Sequence, residues 1–405
     1  MDLVIRNARI LGREGLFEIA INEGKIVDIG AACGHSAEAL DARGNLVLPT
    51  FIEPHIHFDK VLLAEKLNET SSITEARQMV REAKKSFTTS EVRERVEKII
   101  PWGIENGVTV VRTHLDVDSY SKTTSVEAVI DLSRKYKDLI DIQIVVFPQE
   151  GIVKDSQTFE LLLKAIEMGA DVLGGLPEAE RSEEDSRKQI DQLFLLAKQK
   201  DLDLDVHCDV LPSFRNTEYY VSQVLKNRYE GRATADHLIA LAYYDDDYAS
   251  RIIRMLGAAS INVIANPCTM MSSGNTDRPP KARGITRVKE LVRAGVNVAF
   301  GSDNIIDPYN PFGDFNPLSN GYLLAYGAQM GSVSEFEALI RMPTYCSAKA
   351  LRLENYGLVA GNDADLNIFS ESSPRELLRK HGKPRYVIKK GKTLVENKSE
   401  TIRNF

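Results

Sequence analysis

The feature that most constrains this chain is an alternation of short apolar runs with long amphipathic segments, repeated eight times between residues 46 and 303. Leu46-Val47-Leu48-Pro49-Thr50-Phe51-Ile52 reads as the first buried strand. Further strands are expected at 108–113, 142–147, 172–174, 204–206, 232–234, 261–265 and 296–300. Stretches such as 73–100 and 183–200 read as helices between them. Strands joined through helices pair in parallel, and eight such units suggest an α/β fold of the (β/α)8 TIM-type barrel class.

Both ends of the chain break this pattern. Segments 3–10, 17–21 and 25–29 are strand-like, with a turn at Asn22-Glu23-Gly24. Segments 364–369 and 385–395 have the same character, with a turn at Lys390-Gly391. Neither end buries much alone, so the two are expected to meet in one small β-sandwich. The expected division is a discontinuous β-sandwich domain of residues 1–48 and 360–405, and a (β/α)8 barrel of residues 49–359.

Composition narrows the function classes. A net charge of -7 argues against nucleic acid as a partner, which would need a basic patch. No apolar run is long enough for a bilayer, and no basic segment followed by an apolar one opens the chain. Cys33, Cys208, Cys268 and Cys346 are scattered and form no CxxC pair. That usage fits a reduced, cytoplasmic protein.

Five of the seven histidines, His55, His57, His114, His207 and His237, fall at expected strand C-termini. That is the face where barrels of this kind carry their active sites. His35 and His381 lie in the terminal regions and read as surface residues. His55 and His57, one residue apart at a strand end, point to the same side. With His207 and Asp303 they form a candidate shell for one divalent transition metal, Zn2+ or Fe2+, with a position left for water. Such an ion makes water nucleophilic near neutral pH. Asp303 could take the water proton, and His237 could hydrogen-bond the substrate or the water. Each residue alone has a plainer use, a core histidine for His207 and a helix N-cap for Asp303. Their joint placement at one barrel face is what points to a metal.

Several stretches carry a resemblance to a known family: Glu53-Pro54-His55-Ile56-His57, Arg112-Thr113-His114-Leu115-Asp116-Val117, Phe147-Pro148-Gln149-Glu150-Gly151, His207-Cys208-Asp209, Ala265-Asn266-Pro267 and Asp307-Pro308-Tyr309. Over almost its whole length the chain resembles the amidohydrolase superfamily, in the branch of bacterial cytosine deaminase and N-isopropylammelide isopropylaminohydrolase. The resemblance implies a metal-bearing barrel with a β-sandwich made from both chain ends. It also implies metal on His55, His57, His207 and Asp303, with Gln149 on the amide edge of the substrate and His237 polarising the attacked centre. Tyr309 stands where cytosine deaminase has a pocket-lining tryptophan.

The departures are as informative. Cytosine deaminases follow His-Cys-Asp with a glutamate that shuttles protons, and here the residue is Val210. Asn304 replaces a second aspartate after Asp303 and becomes a candidate substrate contact. Lys60 is either a solvated surface residue or a desolvated lysine that binds a ring carbonyl or supplies a proton. At these positions the chain is similar to the isopropylammelide enzyme, while 147–151 and 285–298 are more similar to cytosine deaminase. Asp118 and Asp209 either orient metal-bound histidines or cap loops. Tyr219-Tyr220 and Tyr243-Tyr244 read as packing or interface residues. The expected function is a hydrolytic deaminase, or aminohydrolase, acting on an exocyclic C–N bond of a small N-heterocycle. An N-alkylammelide-type substrate is the alternative to a cytosine-like one. A cyclic amide hydrolase would call for a bridging lysine at the fourth or fifth strand, where none stands. A non-catalytic relative would have no reason to keep His55, His57, His207, His237 and Asp303. The expected partners are the heterocycle and further copies of the chain in a homo-oligomer, with no nucleic acid and no membrane.

Overall fold

The computed structural model describes residues 1–34, 36–67, 72–211, 213–273 and 284–398. His35 lies outside the described residues. Five strands come first: β1 (Leu3–Ile10), β2 (Phe17–Asn22), β3 (Lys25–Gly30), β4 (Glu38–Asp41) and β5 (Leu46–Pro49). The next eight are β6 (Phe51–Ile56), β7 (Val108–Asp116), β8 (Asp141–Phe147), β9 (Val172–Gly175), β10 (Asp203–Cys208), β11 (Ala233–His237), β12 (Asn262–Ala265) and β13 (Val298–Phe300). Helices separate each of these from the next, and the strands pair in parallel in chain order. After β13 the chain returns to β6. Asp303 N donates to His55 O at 2.8 Å, and His57 N donates to Asp303 O at 2.8 Å. The barrel closes at this seam.

The remaining strands, β14 (Leu366–Ile368), β15 (Tyr386–Lys389) and β16 (Lys392–Glu396), join the N-terminal ones in a second sheet of order β16-β15-β14-β5-β1-β2-β3, with β4 beside β1. β1 serves both halves of it. Leu3, Val4 and Ile5 pair with β2 and β4, whereas Arg9 and Ile10 pair with β5. The sheet folds over a core that includes Leu3, Ile19, Val47, Leu366 and Ile388. The second sheet expected from both chain ends is therefore present.

Two local expectations are corrected. The run 46–52 is two strands, not one. Leu48 pairs with Asn367 in the terminal sheet, while Phe51 pairs with Val108 in the barrel. Thr50 between them is fully buried, and its Oγ1 accepts from the Thr109 hydroxyl at 2.6 Å. The run is apolar throughout because the chain passes straight from one core into the other. The helix expected at 73–100 is also two, α1 (Ile73–Lys84) and α2 (Thr89–Glu105). Thr88 starts the second by accepting from Glu91 N at 3.2 Å. The helix at 183–200 is found as Glu183–Lys200, capped by Ser182. Among the described residues no helix is long and apolar enough to cross a membrane.

Glu53 holds the seam from inside. Its buried carboxylate accepts from Ser302 N at 3.0 Å, Ser302 Oγ at 2.6 Å and His55 N at 3.1 Å. Burial pushes its pKa up to about 7, against the pull of those donors. Gly301 fits beside it because it has no side chain: a Cβ there would stand 2.6 Å from Glu53 Oε1 and 2.7 Å from His55 O. Gly301→Ala should force β6 and β13 apart and cost about 1–3 kcal/mol in urea unfolding. An alanine variant as stable as the parent would show that the seam yields freely.

Candidate active site

The strand ends assemble one cluster. His55 lies near the end of β6 and His57 just beyond it. His207 is in the last turn of pleat of β10, His237 ends β11, and Asp303 follows β13. His237 and Asp303 have left-handed backbone angles, φ 67° and 62°. Such angles are uncommon outside glycine and cluster where function constrains the chain.

Nε2 of His55 and Nε2 of His57 each lie 3.4 Å from Asp303 Oδ1. Nε2 of His207 lies 3.3 Å from Nε2 of His57. Ligand atoms bound to one tetrahedral ion at 2.0–2.1 Å stand about 3.3–3.4 Å from one another. Three of the six pairs among these four side chains thus have the spacing of ligands on one ion, and His55, His237 and Asp303 also gather closely enough to hold one. Neither ring nitrogen of His55 has a hydrogen-bond partner among the described residues. Burial, then the Lys60 ammonium, holds the His57 pKa well below the usual range. Burial and the neighbouring imidazoles do the same to His207. Both rings are thus neutral, the form that binds metal. His55 differs. Burial disfavours its charge, yet Asp236 and Asp303 push its pKa up to about 10. Asp303 is buried too, but its histidine neighbours hold it well below the carboxylate range.

A second group lies beneath the first, further into the barrel. Asp236 Oδ2 is 3.1 Å from His55 Nδ1, 3.4 Å from His207 Nδ1 and 3.5 Å from His114 Nε2. His114 in turn faces Asp205 Oδ1 at 3.3 Å, and Asp205 pairs with Arg112 at 2.7 Å. His55, His114, His207 and Asp236 could also gather around an ion. However, His55, His114 and Asp236 do not line the open cleft, whereas His57, His207, His237 and Asp303 do. Asp236 instead sits where it orients two imidazoles, turning Nε2 of His55 and His207 toward the mouth. The sequence reading missed Asp236, Asp205 and Arg112. A signal existed: an ionisable residue inside a buried strand needs a buried partner.

The cleft is narrow, with a cavity volume of about 30 Å³. Lys60, Gln149, Asn304 and Tyr309 line it, as does Val210. Ile73 and Arg77 of α1, and Met270, complete the lining and were not foreseen. Asn304 Nδ2 donates to Asp307 Oδ2 at 2.5 Å, which leaves its oxygen for the cleft. The Asn266 amide is satisfied in one orientation, with its oxygen 3.1 Å from His237 Nδ1 and its nitrogen donating to Ala265 O and Gly301 O. His237 Nδ1 then carries the proton, and Nε2 is left as an acceptor.

Lys60 corrects an expectation. It is buried, and its Nζ lies 2.8 Å from Asp116 Oδ1, 2.9 Å from His57 Nδ1 and 3.2 Å from Gln149 Oε1. Three polar neighbours within 3.2 Å thus engage Nζ. Burial opposes its charge, but Asp116 and Asp59 raise the pKa above that of an ordinary lysine. Supply of a proton through a lowered pKa does not fit that setting. Lys84, at the end of α1, is equally buried and meets Asp116 Oδ2 at 3.0 Å, Asp118 at 2.5 Å and Glu150 at 3.2 Å. Asp118 and Asp209 are loop caps. Asp118 accepts from Tyr120 N and Ser121 N, and Asp209 from Asn216 N and Thr217 N. Tyr220 and Tyr244 are buried packing residues.

The model of the family described as "Amidohydrolase family" matches residues 64–395. The chain is 30% identical over 406 residues to the N-isopropylammelide isopropyl amidohydrolase of Pseudomonas sp. (strain ADP), covering 98% of each chain. It is 31% identical over 395 residues to the pterin deaminase of Rhizobium rhizogenes, covering 94% of this chain and 89% of the other. Its fold superimposes on the crystal structure of 5-methylcytosine deaminase from Klebsiella pneumoniae liganded with 5-fluorocytosine, with a TM-score of 0.95, 36% identity and 99% of each chain covered.

The buried charges make α1 sensitive to one substitution. Lys84→Met leaves Asp116, Asp118 and Glu150 around an apolar tip. The expected loss is about 3–5 kcal/mol of unfolding free energy, the usual cost of stranding buried charge. A denaturation midpoint within error of the parent would show that water reaches these carboxylates.

Proposed function

The chain belongs to the amidohydrolase family, and on that premise we propose that it is a hydrolytic deaminase that uses one divalent transition metal, Zn2+ or Fe2+, to replace an exocyclic amine of a small oxo-N-heterocycle with oxygen. The approach of His55 and His57 to Asp303 and of His207 to His57, each at 3.3–3.4 Å and all but His55 lining the cleft, supports the proposal. Two relatives are named as deaminases, of 5-methylcytosine and of pterin, and a third acts on N-isopropylammelide by name. All three names describe loss of nitrogen from an N-heterocycle. An aminopyrimidinone or an aminotriazinone is the substrate class that agrees with them.

His55, His57, His207 and Asp303 would hold the ion. When bound, it supplies the Lewis acidity that makes water a nucleophile at neutral pH. The remaining work belongs to the chain. Asp303 has its second oxygen 4.0 Å from His237 Nδ1 and accepts the proton of the attacking water. His237, fixed by Asn266 with Nε2 as acceptor, orients that water and relays a proton toward the leaving nitrogen. Val210 offers no carboxylate for this task, so proton movement falls to Asp303 and His237. Gln149 Oε1 is engaged by Lys60, so its N–H groups face the ring and donate to a carbonyl or ring nitrogen. Asn304 offers its oxygen to a ring N–H. Lys60 acts as a positioning residue for His57 and Gln149.

Protein purified with metal should hold about one ion per chain, and His207→Ala should lose most of it. Stoichiometric metal in that variant would remove His207 from the shell. Ammonia release from a panel of aminopyrimidinones and aminotriazinones should identify a substrate, and Gln149→Ala should lower kcat/KM on it by about tenfold or more. A metal-loaded protein that releases no ammonia from any member would overturn the deaminase proposal.

A further inference from the structure

The wall of the cleft away from the metal shell contains two polar groups that the proposed chemistry does not use. Arg77 projects from α1 into the cleft lining. One of its nitrogens, Nη2, donates to Glu178 Oε1 at 2.6 Å. Among the described residues, its Nε and Nη1 have no partner, so those N–H groups are free for a ligand. Glu178 does not float: its other oxygen accepts from Val210 N at 3.0 Å and Leu211 N at 3.2 Å. The guanidinium is therefore braced against the loop after β10. The second group is Tyr309. It is 7% exposed, it lines the cleft, and its buried hydroxyl has no hydrogen-bond partner. A buried phenol without a partner costs about 1–3 kcal/mol unless a ligand or water satisfies it.

The polar groups of the cleft sort by type. Asp303, Asn304 Oδ1 and His237 Nε2 are acceptors, and they suit an amine and a water. Gln149, Tyr309 and Arg77 present donors. A donor-rich wall that includes a guanidinium braced by Glu178 selects a ring edge that carries oxygen without N–H. We propose that Arg77 and Tyr309 together read a second exocyclic oxygen on the substrate ring, so that the preferred substrate is an acidic, polyoxo amino-heterocycle and not a mono-oxo ring such as cytosine. This rests on the reading of the cleft as the deaminase substrate site. Arg77 is on that account a specificity-determining residue, and charge on the ring, spread over its oxygens, is what the enzyme recognises.

Two product-like rings test this on the metal-loaded protein without turnover. Barbiturate differs from uracil by one exocyclic oxygen and is an anion at neutral pH. By calorimetric titration the parent protein should bind barbiturate about tenfold or more tighter than uracil, the usual gain from a charge-assisted hydrogen bond. Arg77→Met and Tyr309→Phe should each reduce that ratio several-fold while leaving uracil affinity within about twofold. Arg77→Lys, which keeps the charge and can keep the pair with Glu178, should retain part of the ratio. Glu178→Gln, which weakens the brace without removing the guanidinium, should leave most of it. A parent ratio near one, or a ratio that survives Arg77→Met, would overturn the proposal. So would loss of the ratio in Glu178→Gln equal to that in Arg77→Met, since the brace and not the guanidinium would then be responsible. Absence of ammonia release with the ratio intact would instead sink the deaminase reading alone.

Discussion

The site depends on how the first and last barrel strands meet. Asp303 reaches its position because its backbone bridges His55 and His57, one hydrogen bond to each. The same contact brings its carboxylate between their Nε2 atoms. Barrel closure and the approach of Asp303 to both histidines are thus a single event. Glu53 and Gly301 serve both, one by tying Ser302 to β6 and the other by leaving room for that tie. A carboxylate buried this deeply is costly unless donors surround it, and Ser302 and His55 provide them.

Around that seam the interior carries an unusual load of charge, arranged in two tiers. One runs down the barrel axis from His55 through Asp236, His114 and Asp205 to Arg112. The other lies at the mouth, where Lys60 and Lys84 approach Asp116 from opposite sides. Neither tier is an efficient source of stability, since desolvation cancels much of the attraction in such groups. Their value is geometric. Asp236 sets the direction of two imidazoles, and Lys60 fixes His57 and Gln149 relative to one another. Lys84 and Arg77 lock α1 over the cleft through Glu150 and Glu178.

Much of this was legible in the sequence. The alternation of apolar runs and amphipathic segments located the barrel, and the first three terminal strands were read nearly to the residue, as with β1 at Leu3–Ile10, whereas β4 was not foreseen. His55, His57, His207, His237 and Asp303 do converge, because strand C-termini share one face whatever lies between them. What escaped depends on contacts that periodicity cannot register. The run at 46–52 hid a passage between two cores, since burial on both sides looks the same in either sheet. The break between α1 and α2 was missed because Thr88 caps a helix inside a stretch of continuous helical spacing. Arg77 and Lys84 gave no sign of being buried, because on a helix their spacing is that of a solvated face. Lys60 was noticed, but its partner Asp116 comes from the neighbouring strand, and the direction of its pKa followed from that partner.

The direct passage of β5 into β6 has a consequence for the order in which the molecule is made. Leu366 pairs with Pro49, so the sheet that begins the chain waits for strands synthesised after the entire barrel. Until then β1, β2 and β5 expose apolar faces and an unpaired edge, a state prone to misassociation. Only one residue, Thr50, separates that waiting edge from the first barrel strand. Strands β14–β16, which follow the barrel in the chain, thus complete the sheet whose first strands precede it. Long-range pairing of this kind slows folding.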